Sequence, residues 1–387
     1  MSEPESPVVR FDDFRAGSAN PSFALRDPVA VLSAESPAEV AAVLVAAEEA
    51  ARRGHWVAGF VGYEAAAGLD PLLPVAGRPA DDPLARLPLA WFGVFARREQ
   101  VALPSRPDAG VEGSWALDRG EEAYVGEVEA IRHGIAQGSF YQVNLTARLR
   151  GREPEPSARY ALLAHRQRTE FSAFLRTGDH DVLSVSPELF FALDGRLITT
   201  RPMKGTARRG RTPEEDRLLR ARLLASAKER AENVMIVDLL RNDLSRVAAT
   251  GSVRVSELLV AEAYPTTWQL TSTVRATVRP EVGLLDLFRA LFPSGSVTGA
   301  PKIAAMRAVA EIEGRPRGVY CGAIGFLRPG TEPSMRFSVG IRTLTVDRCS
   351  GYAEYGTGGG ITWSSEARAE WDELWAKTEV LRDITAY

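Results

Sequence analysis

Lys204 is the first candidate for a reactive side chain in this sequence. The segment TTRPMKGTARRG, residues 199–210, places Lys204 between Met203 and Gly205 and contains no other lysine. An uncharged lysine amine is a nucleophile, and Glu188 in SVSPELF could carry protons for it. The pattern leaves two interpretations open: a surface cation, or a nucleophile placed beside a small anionic substrate.

Three glutamates are candidates for binding a divalent cation. Glu232 belongs to the predicted helix KERAENVMIVDLLRNDL, and the residues one and two turns later are apolar, so its carboxylate lies on an apolar face. Glu370 and Glu373 share one face of the last predicted helix with Lys377. Carboxylates from two helices, without nearby histidines, suit Mg²⁺ better than zinc. The alternatives are an internal pair between Glu232 and an arginine, and a solvated Glu373–Lys377 pair.

Glycine-rich segments and one arginine are candidates for binding an anion. YGTGGGITW contains Gly358 and Gly359, where the backbone can approach a ligand closely; a flexible turn is the alternative. SGSVTGAPK is a second loop of small residues that enters a helix. Arg342 alternates with apolar residues in GIRTLTV, which predicts a buried strand and a carboxylate partner from the protein or a substrate. Together these features predict a site for a small polyanion.

The predicted elements around these residues indicate an α+β fold. EEAYVGEVEAIRHGIAQ has helical spacing that ends near Gly138, and FYQVNLTARLRG then alternates like a strand. DVLSVSPELFFALDGRLITTRPMKG is typical of a β-hairpin with its turn at Asp194 and Gly195. A helix begins after Thr212, and helical spacing continues to about Ala249. Because strands and helices come in uneven groups, antiparallel sheets are favoured.

The remaining elements complete the predicted organisation. VGLLDLFRALF predicts a helix, GVYCGAIGFL, MRFSVGIRTLTV and AEYGTGGGITW predict strands, and SEARAEWDELWAKTEVLRDI predicts the last helix. Residues 68–118 predict strands and loops of an amino-terminal subdomain. We therefore divide the chain into 1–118, intertwined with the rest, and 119–387, which carries the candidate site.

Composition excludes several classes of protein. The 387 residues are 45% hydrophobic and 25% charged with a net charge of −3, and no long basic stripe indicates nucleic-acid binding. No apolar run of about 18 residues predicts a membrane span. The 2 cysteines and 4 histidines are too few for a disulfide framework or a histidine-rich metal centre. We expect a cytoplasmic protein without nucleic-acid or membrane partners.

Eight motifs in collinear order, from about Glu121 to the end of the chain, resemble those of the chorismate-utilising enzymes. The motifs are GSFYQVNL, SVSPELF, TRPMKGTARRG, AENVMIVDLLRNDLSRV, FPSGSVTGAPK, GVYCGAIGFL, IRT and GTGGGITW. The family includes members that form anthranilate, aminodeoxychorismate, isochorismate and salicylate. The resemblance implies an anthranilate-synthase-like αββα sandwich, in which two large, mainly antiparallel sheets pack together with helices outside and the site between them.

Two positions distinguish the members of this family. A lysine at the position of Lys204 is typical of members that form 4-amino-4-deoxychorismate, whereas anthranilate-forming members usually have alanine. Gln142 stands where isochorismate- and salicylate-forming members have a lysine that activates water. The resemblance therefore implies Mg²⁺-dependent conversion of chorismate and ammonia to 4-amino-4-deoxychorismate through a covalent intermediate on Lys204, in the synthesis of 4-aminobenzoate and folate. A separate glutamine amidotransferase subunit would supply the ammonia.

Two other functions stay open at this point. The chain could form anthranilate, or it could be a chorismate-binding partner subunit without catalysis. Two departures from the family pattern bear on the choice. Phe326 stands where many relatives have a tyrosine that contacts the pyruvyl carboxylate, and Trp268 and Gln269 stand where anthranilate-forming members have a histidine.

The resemblance also assigns roles to individual residues. Glu188 matches the acid/base carboxylate, and Glu232, Glu370 and Glu373 match the Mg²⁺ ligands, one of the last two acting through water. The residues expected to bind the substrate are Gln142, Gly205, Thr206, Thr298, Gly299, Arg342, Gly358, Gly359 and Lys377.

Overall fold

Antiparallel strand pairing connects most of the structure. The computed structural model describes residues 8–15, 22–107, 113–264, 267–332 and 334–381. Its 18 strands form one continuous hydrogen-bonded network, and each described pairing is antiparallel. The predicted α+β class with antiparallel pairing is confirmed. The described strands do not show the expected second sheet, because their pairing continues from end to end of the network.

The strands alternate with helices in uneven groups along the chain. The strands are β1 (Val8–Asp12), β2 (Phe23–Ala34), β3 (Trp56–Val61), β4 (Ala90–Gln100), β5 (Trp115–Leu117), β6 (Gln142–Arg152), β7 (Phe171–Arg176), β8 (His180–Ser186), β9 (Leu189–Asp194), β10 (Leu197–Arg201), β11 (Met203–Arg208), β12 (Arg254–Ala263), β13 (Thr267–Thr277), β14 (Gly299–Ala300), β15 (Ala323–Leu327), β16 (Met335–Val339), β17 (Thr343–Asp347) and β18 (Tyr352–Ile361).

Helices connect and cover these strands. They are α1 (Pro37–Arg52), α2 (Ala66–Leu69), α3 (Glu121–Ala136), α4 (Pro156–Gln167), α5 (Pro213–Ala225), α6 (Ala227–Ser245), α7 (Leu284–Leu291), α8 (Gly295–Thr298), α9 (Lys302–Glu313) and α10 (Ala367–Ala376). Within the described residues, no helix combines the length and the apolar character needed to cross a lipid bilayer.

Two predicted helix boundaries are wrong. The helix expected to run to about Ala249 is divided into α5 and α6, because Ser226 leaves the helical conformation and accepts a hydrogen bond from the Glu229 backbone N–H at 3.4 Å. Serine in this position caps a new helix and starts it. The last helix also ends earlier than predicted, at Ala376, and the part of the prediction beyond 381 lies outside the described residues.

The hairpin that leads toward Lys204 is confirmed with a small change in its turn. Asp194 pairs with Leu197, so the two-residue turn consists of Gly195 and Arg196. Gly195 has a φ of +55°, a conformation that glycine adopts without a side-chain clash. The hairpin places Glu188, just before β9, close in sequence and space to the start of β11.

The amino-terminal strands are part of the same hydrogen-bonded network as the rest. β1 pairs with β7, and β3 pairs with β15. The division at residue 118 stays a prediction. The largest apolar cluster joins α1, β3, β9, β13 and α7, and its members include Leu44, Val61, Phe191, Val274 and Phe288. Burial of such side chains, each contributing about 1.5–3 kcal/mol, stabilises the framework under the site.

A buried ion pair fixes two segments that carry site residues. The guanidinium of Arg317 pairs with Glu313 at 2.7 Å, and both side chains are 1% exposed. Arg317 also donates to the carbonyl oxygens of Val297 at 2.8 Å and Asn144 at 2.7 Å. Val297 belongs to α8 and Asn144 to β6, so one arginine holds these elements together.

We expect Glu313→Gln to destabilise the fold strongly. Removing one partner leaves the buried Arg317 charge uncompensated, which costs about 3–5 kcal/mol. Chemical denaturation would measure the free energy of unfolding. The control is Glu129→Gln in the more exposed pair with Arg132, for which we expect a loss below about 1 kcal/mol. Equal losses in the two variants would contradict this role of Glu313.

Candidate active site

A β-bulge presents Lys204. The register between β11 and β13 shifts between Met203 and Thr206, so β11 contains one more residue than its partner across this step. Gly205 lies in the bulge with a φ of +99°, which favours glycine. A bulge interrupts the alternation of a strand and changes the direction of a side chain. The partly buried Lys204 therefore owes its orientation to this local irregularity.

Glu188 lies close to the start of β11. Only 3% of Glu188 is exposed. Burial raises the pKa of Glu188 to about 7, and the Ser296 side chain, the Lys204 charge and the Met203 backbone N–H oppose this shift. These opposing groups lie close to the Glu188 carboxylate, and Met203 is the residue before Lys204. A carboxyl group that titrates near neutrality can both donate and accept a proton.

The glutamates of α6 and α10 share one electrostatic environment. Burial raises the pKa of Glu232 to about 7; Lys204 opposes this shift, and the charges of Glu229 and Glu370 add to it. Within the described part of the chain, Glu232 has no hydrogen bond or ion pair of its own. The predicted internal Glu232–arginine pair is therefore not found there. A half-buried carboxylate without such a partner is suited to a cation from solution.

Two lysines pair with the carboxylates of α10. Lys377 Nζ lies 2.8 Å from Glu373 Oε1 and donates to the Gly358 carbonyl oxygen at 2.7 Å. The Lys377 charge holds the pKa of Glu373 below its usual value. Lys228 Nζ lies 3.6 Å from Glu370 Oε1, and Glu370 is 5% exposed. The negative charges of α10 are thus balanced by lysines in this structure.

The carboxylates of Glu232, Glu370 and Glu373 are the candidate ligands for a metal ion. Among the residues that the structure describes, no three histidine, cysteine, aspartate or glutamate side chains are grouped as metal ligands. The carboxylate oxygens of these three glutamates are nevertheless the type of ligand that Mg²⁺ prefers. Lys228 and Lys377 hold two of the carboxylates. The donor chemistry therefore fits Mg²⁺, and grouping the donors around it would require the two lysine pairs to open.

Glycines of β18 allow charged side chains to approach the strand. A Cβ atom on Gly359 would lie 3.3 Å from Glu370 Oε2, and one on Gly360 would lie 3.5 Å from Lys204 Nζ and would clash with the Gln142 amide. Successive residues of a strand face opposite sides, so the groups approach β18 from both faces. Because these glycines lie within β18, the alternative of a flexible turn is wrong.

The segment from α8 to β14 borders Gln142. Gln142 is 1% exposed, and its side-chain oxygen has no hydrogen-bond partner among the described residues. An unpaired buried acceptor of this kind calls for a polar ligand. Gly299 pairs with Val143, the residue after Gln142. Thr298 is fully buried and donates to the Ser294 carbonyl oxygen at 3.1 Å, so its hydroxyl hydrogen is already used.

Arg342 does not lie on a strand, which corrects the sequence-based prediction. It lies between β16 and β17 with a φ of +51°, an uncommon and strained conformation for a residue with a side chain. No carboxylate of the described residues forms an ion pair with it. Burial lowers the pKa of Arg342, and the nearby Tyr355 and Tyr264 oppose this effect. Its guanidinium is therefore a candidate partner for an external anion.

The residues after Lys204 lie against β13. Thr206 is exposed and donates to Gln269 Oε1 at 2.8 Å. The Trp268 indole N–H donates to Asp216 Oδ1 at 2.9 Å. These contacts occupy the Thr206 hydroxyl hydrogen and the Trp268 N–H within the protein.

Comparison with known proteins places the chain in a family. The sequence profile of the chorismate binding enzymes matches residues 13–383. The chain belongs to the chorismate binding enzyme family.

Several relatives of this family are similar to the chain. Aminodeoxychorismate synthase component 1 of Klebsiella aerogenes is 42% identical over 301 residues, which are 77% of this chain and 63% of the relative. Anthranilate synthase component 1 of Streptomyces coelicolor is 36% identical over 323 residues, which are 80% of this chain and 62% of the relative. The matched region is thus less than two thirds of the length of either relative.

A solved structure agrees with the overall fold. Anthranilate synthase component I from Streptococcus pneumoniae has a TM-score of 0.80 and 25% sequence identity, with coverage of 95% of this chain and 94% of that one. The anthranilate-synthase-like α+β fold is therefore confirmed for this member of the chorismate binding enzymes.

Phe326 lies among apolar side chains and not among the predicted site residues. Its ring packs 5.0 Å from Phe11, 5.1 Å from Phe23 and 6.3 Å from Trp56, measured between ring centroids. The cluster contains none of the predicted site residues. Its side chain has a structural function in this core.

Lys228 and Glu229 also lie at the candidate site, although the sequence analysis did not predict them as site residues. Both precede Glu232 by one helical turn, a spacing that places them on the same face of α6. Glu229 Oε2 would lie 3.0 Å from a Cβ atom on Gly205. Burial raises the pKa of Glu229, and the Lys228 and Lys204 charges oppose the shift. The helical spacing was visible in the sequence, whereas the opposing strand was not.

We expect Glu188→Gln to change the pH dependence of stability. Because burial raises the Glu188 pKa from 4.5 to about 7, the folded state binds a proton more tightly than the unfolded chain. This stabilisation is present below pH 4.5 and is lost as the pH rises through about 7. The melting temperature of the variant minus that of wild type should therefore be more positive at alkaline pH than at acidic pH.

Thermal melts across this pH range would test the effect. The exposed Glu214, substituted in Glu214→Gln, is the control and should give the same difference from wild type at each pH. A Glu188→Gln difference that does not depend on pH would contradict the buried, proton-binding state of Glu188.

Proposed function

We propose that this chain is the chorismate-converting component of an aminodeoxychorismate synthase. The observation that carries the proposal is Lys204, held on a β-bulge and in electrostatic interaction with the buried Glu188 carboxylate. The Klebsiella relative of that name, 42% identical, supports it. Gln142, in place of a water-activating lysine, disfavours formation of isochorismate or salicylate.

The proposed reaction uses Lys204 as the nucleophile and Glu188 as the proton carrier. The uncharged Lys204 amine forms a bond to carbon 2 of the chorismate ring, the two conjugated ring double bonds shift, and the bond from carbon 4 to its hydroxyl breaks, so that the hydroxyl leaves as water with a proton from Glu188. Ammonia then forms a bond to carbon 4, both double bonds shift back, and the bond from carbon 2 to the lysine nitrogen breaks, so that the lysine leaves as an amine and the proton lost by ammonia returns to Glu188. The sum is chorismate plus ammonia giving 4-amino-4-deoxychorismate plus water. Covalent catalysis divides one difficult displacement into two easier ones.

Glu188 moves the proton in this scheme. Its pKa of about 7 lets it give a proton to the departing 4-hydroxyl and take one from the lysine amine at neutral pH. The Lys204 charge lowers the pKa of Glu188 against the effect of burial, and this electrostatic interaction supports a common site for the two groups.

We propose that Mg²⁺ is bound by Glu232, Glu370 and Glu373. When bound, the ion supplies positive charge that holds the carboxylates of the substrate and assists loss of the hydroxyl. Glu232 supports this assignment because it is a half-buried carboxylate without an ion pair among the described residues. Release of Glu370 from Lys228, and of Glu373 from Lys377, would make the other two available.

Backbone and cationic groups hold the rest of the substrate in this proposal. Arg342 is suited to a carboxylate because its half-buried guanidinium forms no ion pair with the described residues. Lys377, once released from Glu373, and the Gln142 amide supply further polar contacts. Backbone groups and small side chains complete the set, and these belong to Gly205, Thr206, Thr298, Gly299, Gly358 and Gly359.

A second protein is proposed as the source of ammonia. The word "component" in the names of the relatives implies a partner in those enzymes. We infer that a glutamine amidotransferase subunit delivers ammonia to Lys204-bound substrate. Neutral ammonia, and not ammonium, is the nucleophile in this step.

Anthranilate synthesis is the second candidate function. The Streptomyces coelicolor anthranilate synthase component, 36% identical over 80% of this chain, favours it. The residues argue against it, because direct addition of ammonia at carbon 2 needs no lysine at position 204. A non-catalytic chorismate-binding subunit would need neither Lys204 nor the proton carrier Glu188.

Product analysis separates these functions. The purified chain is mixed with chorismate, Mg²⁺ and an ammonium salt at alkaline pH. We expect 4-aminobenzoate only after addition of an aminodeoxychorismate lyase. Fluorescent anthranilate formed without the lyase would support the second candidate, and unchanged chorismate would support the non-catalytic subunit.

We expect chorismate without ammonia to leave a covalent adduct on Lys204. The chain has lysine only at positions 204, 228, 302 and 377, so peptide mass spectrometry can locate the adduct without ambiguity. Lys204→Ala should lose the adduct and reduce aminodeoxychorismate formation by at least about 10³-fold, since the covalent route is removed. Lys302→Ala is the control, because Lys302 pairs with Asp243 at 2.9 Å. An unchanged rate in Lys204→Ala would contradict the nucleophile.

We expect Glu232→Gln to weaken Mg²⁺ binding by about 10–100-fold, because a neutral amide replaces a charged ligand. Isothermal titration with Mg²⁺ in the presence of chorismate would measure the dissociation constant. Asp238→Asn is the control on the same helix, since Asp238 is exposed and pairs with Arg241. Equal Mg²⁺ affinity in Glu232→Gln and wild type would contradict the metal ligand.

A further inference from the structure

The buried amide of Asn233 joins the bulge of Lys204 to the neighbouring strand. Asn233 is fully buried, and its Nδ2 donates to the carbonyl oxygens of Lys204 at 3.4 Å and Leu270 at 3.2 Å. These two carbonyls belong to β11 and β13, the strands whose register shifts at the bulge. We propose that Asn233 is a positioning residue that sets the orientation of Lys204; this inference rests on the proposed function of Lys204.

The other end of the amide is also held. The Ser272 hydroxyl donates to Asn233 Oδ1 at 2.5 Å and accepts a hydrogen bond from the Leu259 backbone N–H at 3.0 Å. The Ser272 backbone N–H donates to the Pro202 carbonyl oxygen at 3.3 Å. The amide therefore has its acceptor and both observed donor contacts satisfied inside the protein. Its orientation follows from these contacts, because a rotated amide would place oxygen against two carbonyl oxygens.

The bulge needs such a connection because it lacks regular pairing. An extra residue in one strand leaves backbone groups without a ladder partner, and a buried unsatisfied carbonyl costs about 1–3 kcal/mol. Asn233 supplies the missing donor for the Lys204 carbonyl. Gly205 completes the arrangement with its φ of +99°. Without the amide, the Lys204 carbonyl in the bulge loses its hydrogen bond from the Asn233 side chain.

The position of Asn233 in the helix gives the contact a functional consequence. Asn233 follows Glu232, so one turn of α6 carries both a proposed Mg²⁺ ligand and the hydrogen bond to the nucleophile's backbone. Because Asn233 is bonded to the Lys204 carbonyl and Glu232 is its neighbour in α6, the hydrogen bond also fixes the distance between Glu232 and the Lys204 backbone. Because misplacement of a reacting group by about 1 Å can reduce a rate about 10²-fold, this contact controls attack more than substrate binding.

The test separates positioning from binding. We expect Asn233→Ala to reduce kcat, and the rate of adduct formation on Lys204, by about 10–100-fold. The KM for chorismate should stay within about threefold of wild type, since the side-chain hydrogen bonds given for Asn233 lead to the Lys204 and Leu270 carbonyls and to Ser272 and not to a proposed substrate-binding side chain. Hydrogen exchange should become faster in the peptide that contains residues 203–208. Exchange in α6 peptides away from Asn233 should be unchanged.

A graded series keeps the test decisive if Asn233→Ala does not fold. Ser272→Ala removes the hydroxyl that orients the amide without touching Lys204, and a smaller loss of kcat is expected. Ser272→Thr keeps the hydroxyl and should restore most of the rate. The control is Ser252→Ala, which removes hydrogen bonds to the Ala249 and Thr277 carbonyl oxygens at the other end of β13. This control should lose stability without loss of kcat per folded molecule.

Specific outcomes would overturn the proposal. If kcat per folded molecule is unchanged in Asn233→Ala, or if Ser272→Ala and Ser272→Thr behave alike, Asn233 has a structural function only. Failure of the proposed function is recognised separately. In that case the wild-type chain forms no adduct on Lys204, and the exchange rate at residues 203–208 decides whether Asn233 holds the bulge.

Discussion

The charge of Lys204 among buried carboxylates is the interaction on which the site depends. Its electrostatic attraction opposes the burial cost of Glu188, Glu229 and Glu232, whose pKa values are all raised. Glu188 is buried and the other two are half-buried, and taking carboxylates out of water without a cation is costly, so the amine and the acids are favoured as neighbours. The same arrangement suits the proposed chemistry, because the raised pKa of Glu188, about 7, lets this carboxyl group give and take a proton near neutral pH.

Backbone geometry provides the space that this charge balance needs. Glycines in β18 remove side chains where Glu370 and Lys204 approach the strand, and Gly205 permits the bulge that carries the lysine. α6 then supplies both charge, from Glu232, and a neutral hydrogen bond, from Asn233. Rigid strands and a helix therefore hold a site that flexible loops could not keep at this precision.

Much of the candidate site could be predicted from the sequence, since residue types and short spacings carry that information. Lys204 and Glu188 are unusual in their local context, and the i, i+3 spacing of Glu370 and Glu373 places them on one helix face. Arg342 shows the limit of such patterns. Its alternation with apolar residues predicted a strand, but Arg342 has a positive φ and lies between β16 and β17. An arginine at this position does not indicate a positive φ, so the sequence could not predict this conformation.

By itself, the sequence determined most element types, the antiparallel α+β class and the choice of Lys204 as the candidate nucleophile, because these depend on local periodicity and on motifs. Tertiary structure alone decided the register shift of β11, the contact of Asn233 with the Lys204 carbonyl and the pairing of Lys228 with Glu370. The physical reason is distance along the chain. Strand register and ion pairs between separate helices are settled by packing and charge compensation among segments that meet only in the folded protein.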